Sequence, residues 1–208
     1  MSKVSSSLDL KPQSGKAQVV LGLYTVSCIA FLVMCTEGWD PRHKLAVKTF
    51  MMPLLAVWAF TGGQTSASIS CGLIFATLGD FFLDLPPVAG EGPWFLLGMG
   101  FFFLMQVSYV HGLSSHIEGI PMLAMLAYIG ALIYINVTIG PDLGDLQIPT
   151  GVYSCALVSM AVVTSGIGIR IGLGGFIFAV SDFMILLQLV KVDFPYRSPL
   201  IGATYVIA

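Results

Sequence analysis

Long apolar runs separated by short clusters of Gly, Pro and charged residues make up most of the chain. A bilayer hydrocarbon core is about 30 Å thick, and a helix crosses it in roughly 20 predominantly apolar residues. Runs of that order predict helices at about 17–35, 45–61, 66–85, 94–114, 120–139, 150–169, 171–191 and from 199 onward. The breaks carry the expected punctuation. Trp39, Asp40, Pro41 and Arg42 form the first, Thr61 to Ser66 the second, and Pro86, Pro87, Gly90 and Pro93 the third. The later ones fall at Ile117 to Pro121, Gly140 to Pro149, Arg170 with Gly172, and Asp193 to Pro199. The last run reaches Ala208 in about ten residues, too short to span. The pattern therefore predicts an all-α fold: a polytopic transmembrane helix bundle of about eight helices. A polar tail occupies 1–16 and a single helical domain 17–208. No small-residue cleavage site follows the first run, so that run is expected to be a retained helix.

Composition narrows the partners. The 208 residues are 56% hydrophobic, with 9 basic and 11 acidic side chains and a net charge of −2. Eight crossings leave no room for a separate water-soluble domain, so the activity is expected within the membrane or at its faces. The near-neutral balance, with Arg42-His43-Lys44 as the main basic cluster, argues against nucleic acid. Cys28, Cys35, Cys71 and Cys155 lack CxxC spacing and read as small packing residues. His43 lies in the first break and His111 and His116 are five residues apart, so neither a metal nor another cofactor is expected, and no GxSxG elbow points to serine catalysis. Asn136-Val137-Thr138 is a glycosylation sequon inside a predicted span.

The charges inside the apolar runs are Lys48, Asp80 and Asp182. A carboxylate at mid-bilayer costs at least about 2.5 kcal/mol, so it is expected to face a cavity or a partner. Both aspartates lie on odd-numbered helices, which run in the same direction, at depths that differ by about 5 Å. Gly72 to Phe81 echoes Gly174 to Phe183 around the two aspartates, which allows two parallel four-helix halves. Gly79 and Ser181, just before the acids, let neighbouring helices approach. With a single lysine against two acids, one carboxyl lacks a counter-ion and is expected to be neutral. A neutral carboxylic acid beside a carboxylate suits general acid and base chemistry. It equally suits a proton-coupled transporter of small solutes or lipids. Inert, paired aspartates in a structural protein are the third reading. Asp84, one turn after Asp80, is expected at the membrane edge or as a third carboxylate of the site. Tyr109, Tyr153 and Tyr205 are interfacial anchors or hydroxyl donors.

Several of these segments together resemble the YhhN-like lysoplasmalogenase family: Gly72-Leu73-Ile74-Phe75 through Gly79-Asp80, the Phe-rich helix leading to Tyr109, and Pro149 with Tyr153 and Met160. Leu173-Gly174 through Phe178 to Ser181-Asp182, and the final Thr204-Tyr205, complete the likeness, which runs from about Lys48 to the end. The resemblance implies an eight-helix membrane enzyme that cleaves the vinyl ether bond of 1-alkenyl lysophospholipids. The products are a fatty aldehyde and glycerophosphocholine or glycerophosphoethanolamine. For that chemistry Asp80 and Asp182 are expected as the catalytic pair, Lys48 as the binder of the lipid phosphate or else the cation that holds one aspartate ionised, and Tyr109, Tyr205, Gln106 and Ser181 toward the substrate. Membrane lipids are the surroundings and the alkenyl lysophospholipid the partner. The host membrane is expected to be the endoplasmic reticulum or another internal membrane in a eukaryote, and the inner membrane in a bacterium. Two departures stand out. Gln106 occupies the place of the histidine in the family's His-x-x-Tyr pattern, and Thr49 rather than proline follows Lys48. Gln106 can hydrogen-bond but cannot carry a proton. The family's last helix also continues with a Gln at the position after Ala208.

Overall fold

The computed structural model describes residues 15–62, 66–85, 92–119 and 121–208. The polar tail to residue 14 and Pro86, Pro87 and Gly90 of the third break lie outside them. The described chain is helical throughout: α1 Gly15–Thr36, α2 Pro41–Gly62, α3 Ala67–Leu83, α4 Pro93–Leu113, α5 Met122–Thr138, α6 Gln147–Ser165, α7 Ile169–Leu189 and α8 Arg197–Ile207. Short 3₁₀ segments at Ser114–His116 and Gly140–Leu146 follow α4 and α5. Among the described residues, five helices are long and apolar enough to cross a membrane. The other apolar helices, α3 and α5, have 17 residues each.

Local chemistry explains the boundaries. Pro41 opens α2, where a missing N–H costs nothing, and Asp40 Oδ1 accepts from the Arg42 amide at 2.8 Å. His43, expected in the break, is therefore in the first turn of α2. Ser66 caps α3 by accepting from the Ile69 amide. Lys191 and Tyr196 take left-handed φ values of 58° and 56°, which end α7 and set the angle at which α8 enters.

Helices adjacent in sequence pack together from α1 to α4 and again from α5 to α8. The two sets join through α4 against α6 and α1 against α8. Contacts among the described residues thus close a ring of α1, α2, α3, α4, α6, α7 and α8, with α5 packed on α6 and facing the same interior space. The two halves thus share their order of packing but not the place of their first helix.

One end of the ring is tightly packed by small residues. A Cβ on Gly72 would enter the Tyr109 ring, and one on Gly175 would enter the Thr164 side chain. Gly112 lies against Ser66 and Ser68, and Gly172 against Ser165. Close helix approach at small residues is the usual device of membrane bundles, where lipid is as apolar as leucine. Outward-facing Val19, Phe50, Phe60, Leu123 and Ile169 present the apolar surface a bilayer requires. Cys28 and Cys35 are buried as packing residues, whereas Cys71 and Cys155 face outward.

Candidate active site

At the end that carries the α1–α2, α3–α4 and α7–α8 connections, the helices separate around a cavity of about 560 Å³. Its depth is apolar, with Phe102, Leu157, Phe178 and Leu186 among the lining residues. Lys44, Asp84 and Arg197 stand at its mouth. Phe102 forms part of the floor because Gly79 leaves room for its ring, which lies 6.3 Å from that of Phe178. Asp80, Asp182, Lys48, Tyr205 and Ser181 all open onto this one space. Helices α3 and α7 hold the acids from opposite sides of it.

The two aspartates have unlike surroundings. Asp80 is fully buried, and its Oδ1 lies 3.2 Å from Lys48 Nζ. Tyr205 of α8 donates its hydroxyl hydrogen to Asp80 Oδ2. Lys48 also donates to Asp84 Oδ2 at 3.1 Å, so one ammonium spans two carboxylates one helical turn apart. The same ammonium stands 5.1 Å from the centre of the Tyr205 ring. Asp84, expected at the edge or in the site, is thus both: it ends α3 and shares the cation of Asp80. The Lys48 ammonium is already held by two carboxylates, and it sits 15% exposed beneath the mouth.

Asp182 has no ion pair among the described residues. Its partner is Tyr153 of α6, whose hydroxyl donates to Oδ2 at 2.5 Å. Gln106 of α4 is fully buried beside Tyr153, yet neither polar atom of its amide makes a hydrogen bond of good geometry. Gln106 and Tyr109 do not line the cavity. Tyr109 lies against Gly72 in the packed end, and Gln106 reaches the site only through Tyr153. Ser181 Oγ and Thr150 Oγ1 are buried cavity-lining atoms without a hydrogen-bond partner. Each can accept or donate to a bound polar group.

Tyr153 as the partner of Asp182, Thr150, and the mouth cations Lys44 and Arg197 are not singled out by spacing in the sequence. The early signal among them is Tyr153, expected as an interfacial anchor or a hydroxyl donor, without Asp182 being identified as its acceptor. Histidines do not join the site: His43 stacks edge-on with Trp39 near the mouth, and His111 and His116 belong to the end of α4 and the turn after it, at the opposite side. Among the described residues, no three His, Cys, Asp or Glu side chains converge as a metal site would require.

An all-helical bundle with an outward apolar surface and helices long enough to cross a bilayer is an integral membrane protein. The chain belongs to the YhhN family, whose profile matches residues 43–208, from the start of α2 to the end of α8. No curated protein and no solved structure shows a match to the chain. The matched region includes both aspartates, both of their tyrosine partners and Lys48.

Proposed function

We propose that this protein is a lysoplasmalogenase-type hydrolase, cleaving the vinyl ether bond of 1-alkenyl lysophospholipids through Asp182 and Asp80. The observation that carries the reading is the asymmetry of the pair: Asp80 has Lys48 and Tyr205, whereas Asp182 has a hydroxyl alone. A buried carboxylate is stable when a cation compensates it, and a buried carboxyl without one favours its neutral form. Asp80 is accordingly the carboxylate and Asp182 the proton donor. Tyr153 can donate to one oxygen of Asp182 while the other carries the proton, which holds the acid in a fixed orientation.

The reaction needs no nucleophilic residue. Asp182 transfers its proton to the alkenyl carbon remote from oxygen, and the adjacent carbon becomes an oxocarbenium ion. The Asp80 carboxylate stabilises that cation and takes a proton from the water that adds to it. The hemiacetal then collapses: its hydroxyl proton passes to Asp182, Asp80 gives its proton to the glycerol oxygen, and aldehyde and glycerophosphodiester separate with both carboxyl groups back in their starting states. The same pairing of one acid with one carboxylate serves the oxocarbenium chemistry of glycosidases. General acid catalysis contributes about 10²- to 10⁴-fold, so losing either group is costly.

Transport by the same aspartates is supported less well. The cavity ends against packed α3–α4 and α6–α7 pairs, in which Gly72, Gly112, Gly172 and Gly175 leave no space between helices. Close packing there leaves no path between these helices, which fits a substrate that enters and leaves from the mouth side. The test is incubation of purified protein with 1-alkenyl lysophosphatidylethanolamine, following aldehyde by mass spectrometry. Asp80→Asn and Asp182→Asn are assayed beside the wild type. Release by the wild type and its loss in both variants is expected. Undiminished release in both variants sinks the two-carboxylate reading, and no release by folded wild type sinks the hydrolase.

A further inference from the structure

Two cations at the mouth take no part in the acid and base steps. Lys44 precedes Lys48 by one turn on α2, and Arg197 is the first residue of α8. Both line the same cavity as the aspartates. Cys35, at the end of α1, ties them together: its thiol faces the hydroxyl of Ser198, next to Arg197, and lies within electrostatic reach of Lys44. Lys44 has no ion pair among the described residues. Arg197 meets Asp193 at 3.4 Å, but the Asp193 side chain is 88% exposed. Exposed pairs of this kind contribute little. Each cation also stands in the first turn of its helix, where the backbone dipole favours an anion.

We infer that Lys44 and Arg197 bind the phosphodiester of a lysophospholipid headgroup. This rests on the function proposed above, whose substrate is of that class, and it specifies which residues recognise it. Lys48 is the less suitable cation, because Asp80 and Asp84 already compensate it.

The spacing agrees. One helical turn from Lys48 back to Lys44 is about 6 Å, and Lys48 touches Asp80. The extended path from the ether oxygen through the three glycerol carbons to phosphorus is also about 6 Å at ordinary bond lengths. A lipid with its vinyl ether at the aspartates therefore holds its phosphate level with Lys44. On α8, Tyr205 leans toward the helix N-terminus, as helical side chains do, so its contact with Asp80 points the same way toward Arg197. The hydrocarbon chain then lies along the apolar wall of α5, α6 and α7, where Leu132, Ile135, Leu157 and Phe176 line the space.

The experiment measures binding and needs no turnover. The full chain in lipid nanodiscs is titrated with 1-O-alkyl lysophosphatidylcholine, a saturated ether that lacks the cleavable bond, and with 1-O-alkylglycerol, which lacks the phosphate. Lys44→Gln and Arg197→Gln should each weaken the phospholipid about tenfold, as expected for loss of one charge-assisted contact. Neither should change the affinity for alkylglycerol. Rising salt should weaken wild-type binding of the phospholipid more than that of the double variant. Arg170→Gln, at the opposite face, should bind both lipids as the wild type does. Unchanged phospholipid affinity in the double variant overturns the inference, and so does an equal loss for both lipids, which would indicate a collapsed cavity. Charge-dependent binding in a wild type that hydrolyses nothing would uphold the headgroup site and overturn the hydrolase. Hydrolysis with charge-independent binding would do the reverse.

Discussion

Asp80 and Asp84 share one ammonium, and removing it leaves two carboxylates facing each other across a turn of α3. Lys48→Met should destabilise the protein by about 3–5 kcal/mol, the usual consequence of leaving a buried charge unpaired. Asp84, about a third exposed, contributes less of this than the fully buried Asp80. Adding Asp80→Asn to Lys48→Met should recover much of the loss, and thermal unfolding in detergent reads both. Equal melting temperatures for the single and double variants would contradict the ion pair. Tyr153 acts differently, through orientation. Tyr153→Phe removes the hydrogen bond to Asp182 and should lower kcat about tenfold with little change in KM, since about 1.4 kcal/mol of alignment is lost. A change confined to KM would place Tyr153 against substrate instead. Turnover should also fall at both ends of a pH profile, because one carboxyl must be protonated while the other is ionised. At this scale the sequence was informative wherever charge is costly. Asp80, Asp182 and Lys48 stand out because a bilayer tolerates so few charges. Tyr153 stands out less, named only as an anchor or a hydroxyl donor, because a tyrosine at a helix face is equally at home as either.

The helices meet through residues that are absent rather than present. Gly175 lets α7 lie against Thr164 of α6, and a Cβ there would overlap the threonine side chain. Gly175→Val should therefore cost about 1–3 kcal/mol as overpacking and lower the melting temperature. Gly130→Val on α5, where nothing lies within 4 Å, should leave it unchanged. Equal effects at the two positions would contradict the close packing of α6 on α7. Helix order and approximate extent were legible in the sequence, because runs of about 20 apolar residues have few other uses. The end of α7 and the start of α8 were less so: Lys191 and Tyr196 adopt left-handed backbone without being Gly or Asn, a choice imposed by how α8 must turn back into the bundle. The start of α2 was missed by four residues, since Pro41 reads equally as a break and as a first helical residue.

Among the described residues of the whole molecule, seven helices close a ring and α5, packed on α6, adds its own residues to the cavity wall. Nothing in composition distinguishes α5 from a ring helix, because lipid-facing and cavity-facing apolar side chains look alike in sequence. The ring produces a cavity with charge at the mouth, carboxyl groups within and hydrocarbon beyond, an order that matches a lysophospholipid from headgroup to chain. Specificity follows from the chemistry rather than from the shape. A 1-O-alkyl lysophospholipid should compete with the alkenyl substrate and remain intact, since a saturated ether offers no carbon for Asp182 to protonate. Inhibition kinetics with mass spectrometry of the recovered lipid check this, and cleavage of the alkyl ether would contradict it.

The central claim is that a protonated Asp182 delivers its proton to the alkenyl carbon. Hydrolysis of 1-alkenyl lysophosphatidylethanolamine in heavy water, with immediate reduction of the aldehyde to fix its label, measures that step. Turnover should be slower than in ordinary water, and each product molecule should carry a single deuterium on the carbon next to the former carbonyl. Asp182→Asn should be slower than the wild type by about 10²- to 10⁴-fold. Product without deuterium at that carbon, or an Asp182→Asn variant as fast as the wild type, would contradict the mechanism.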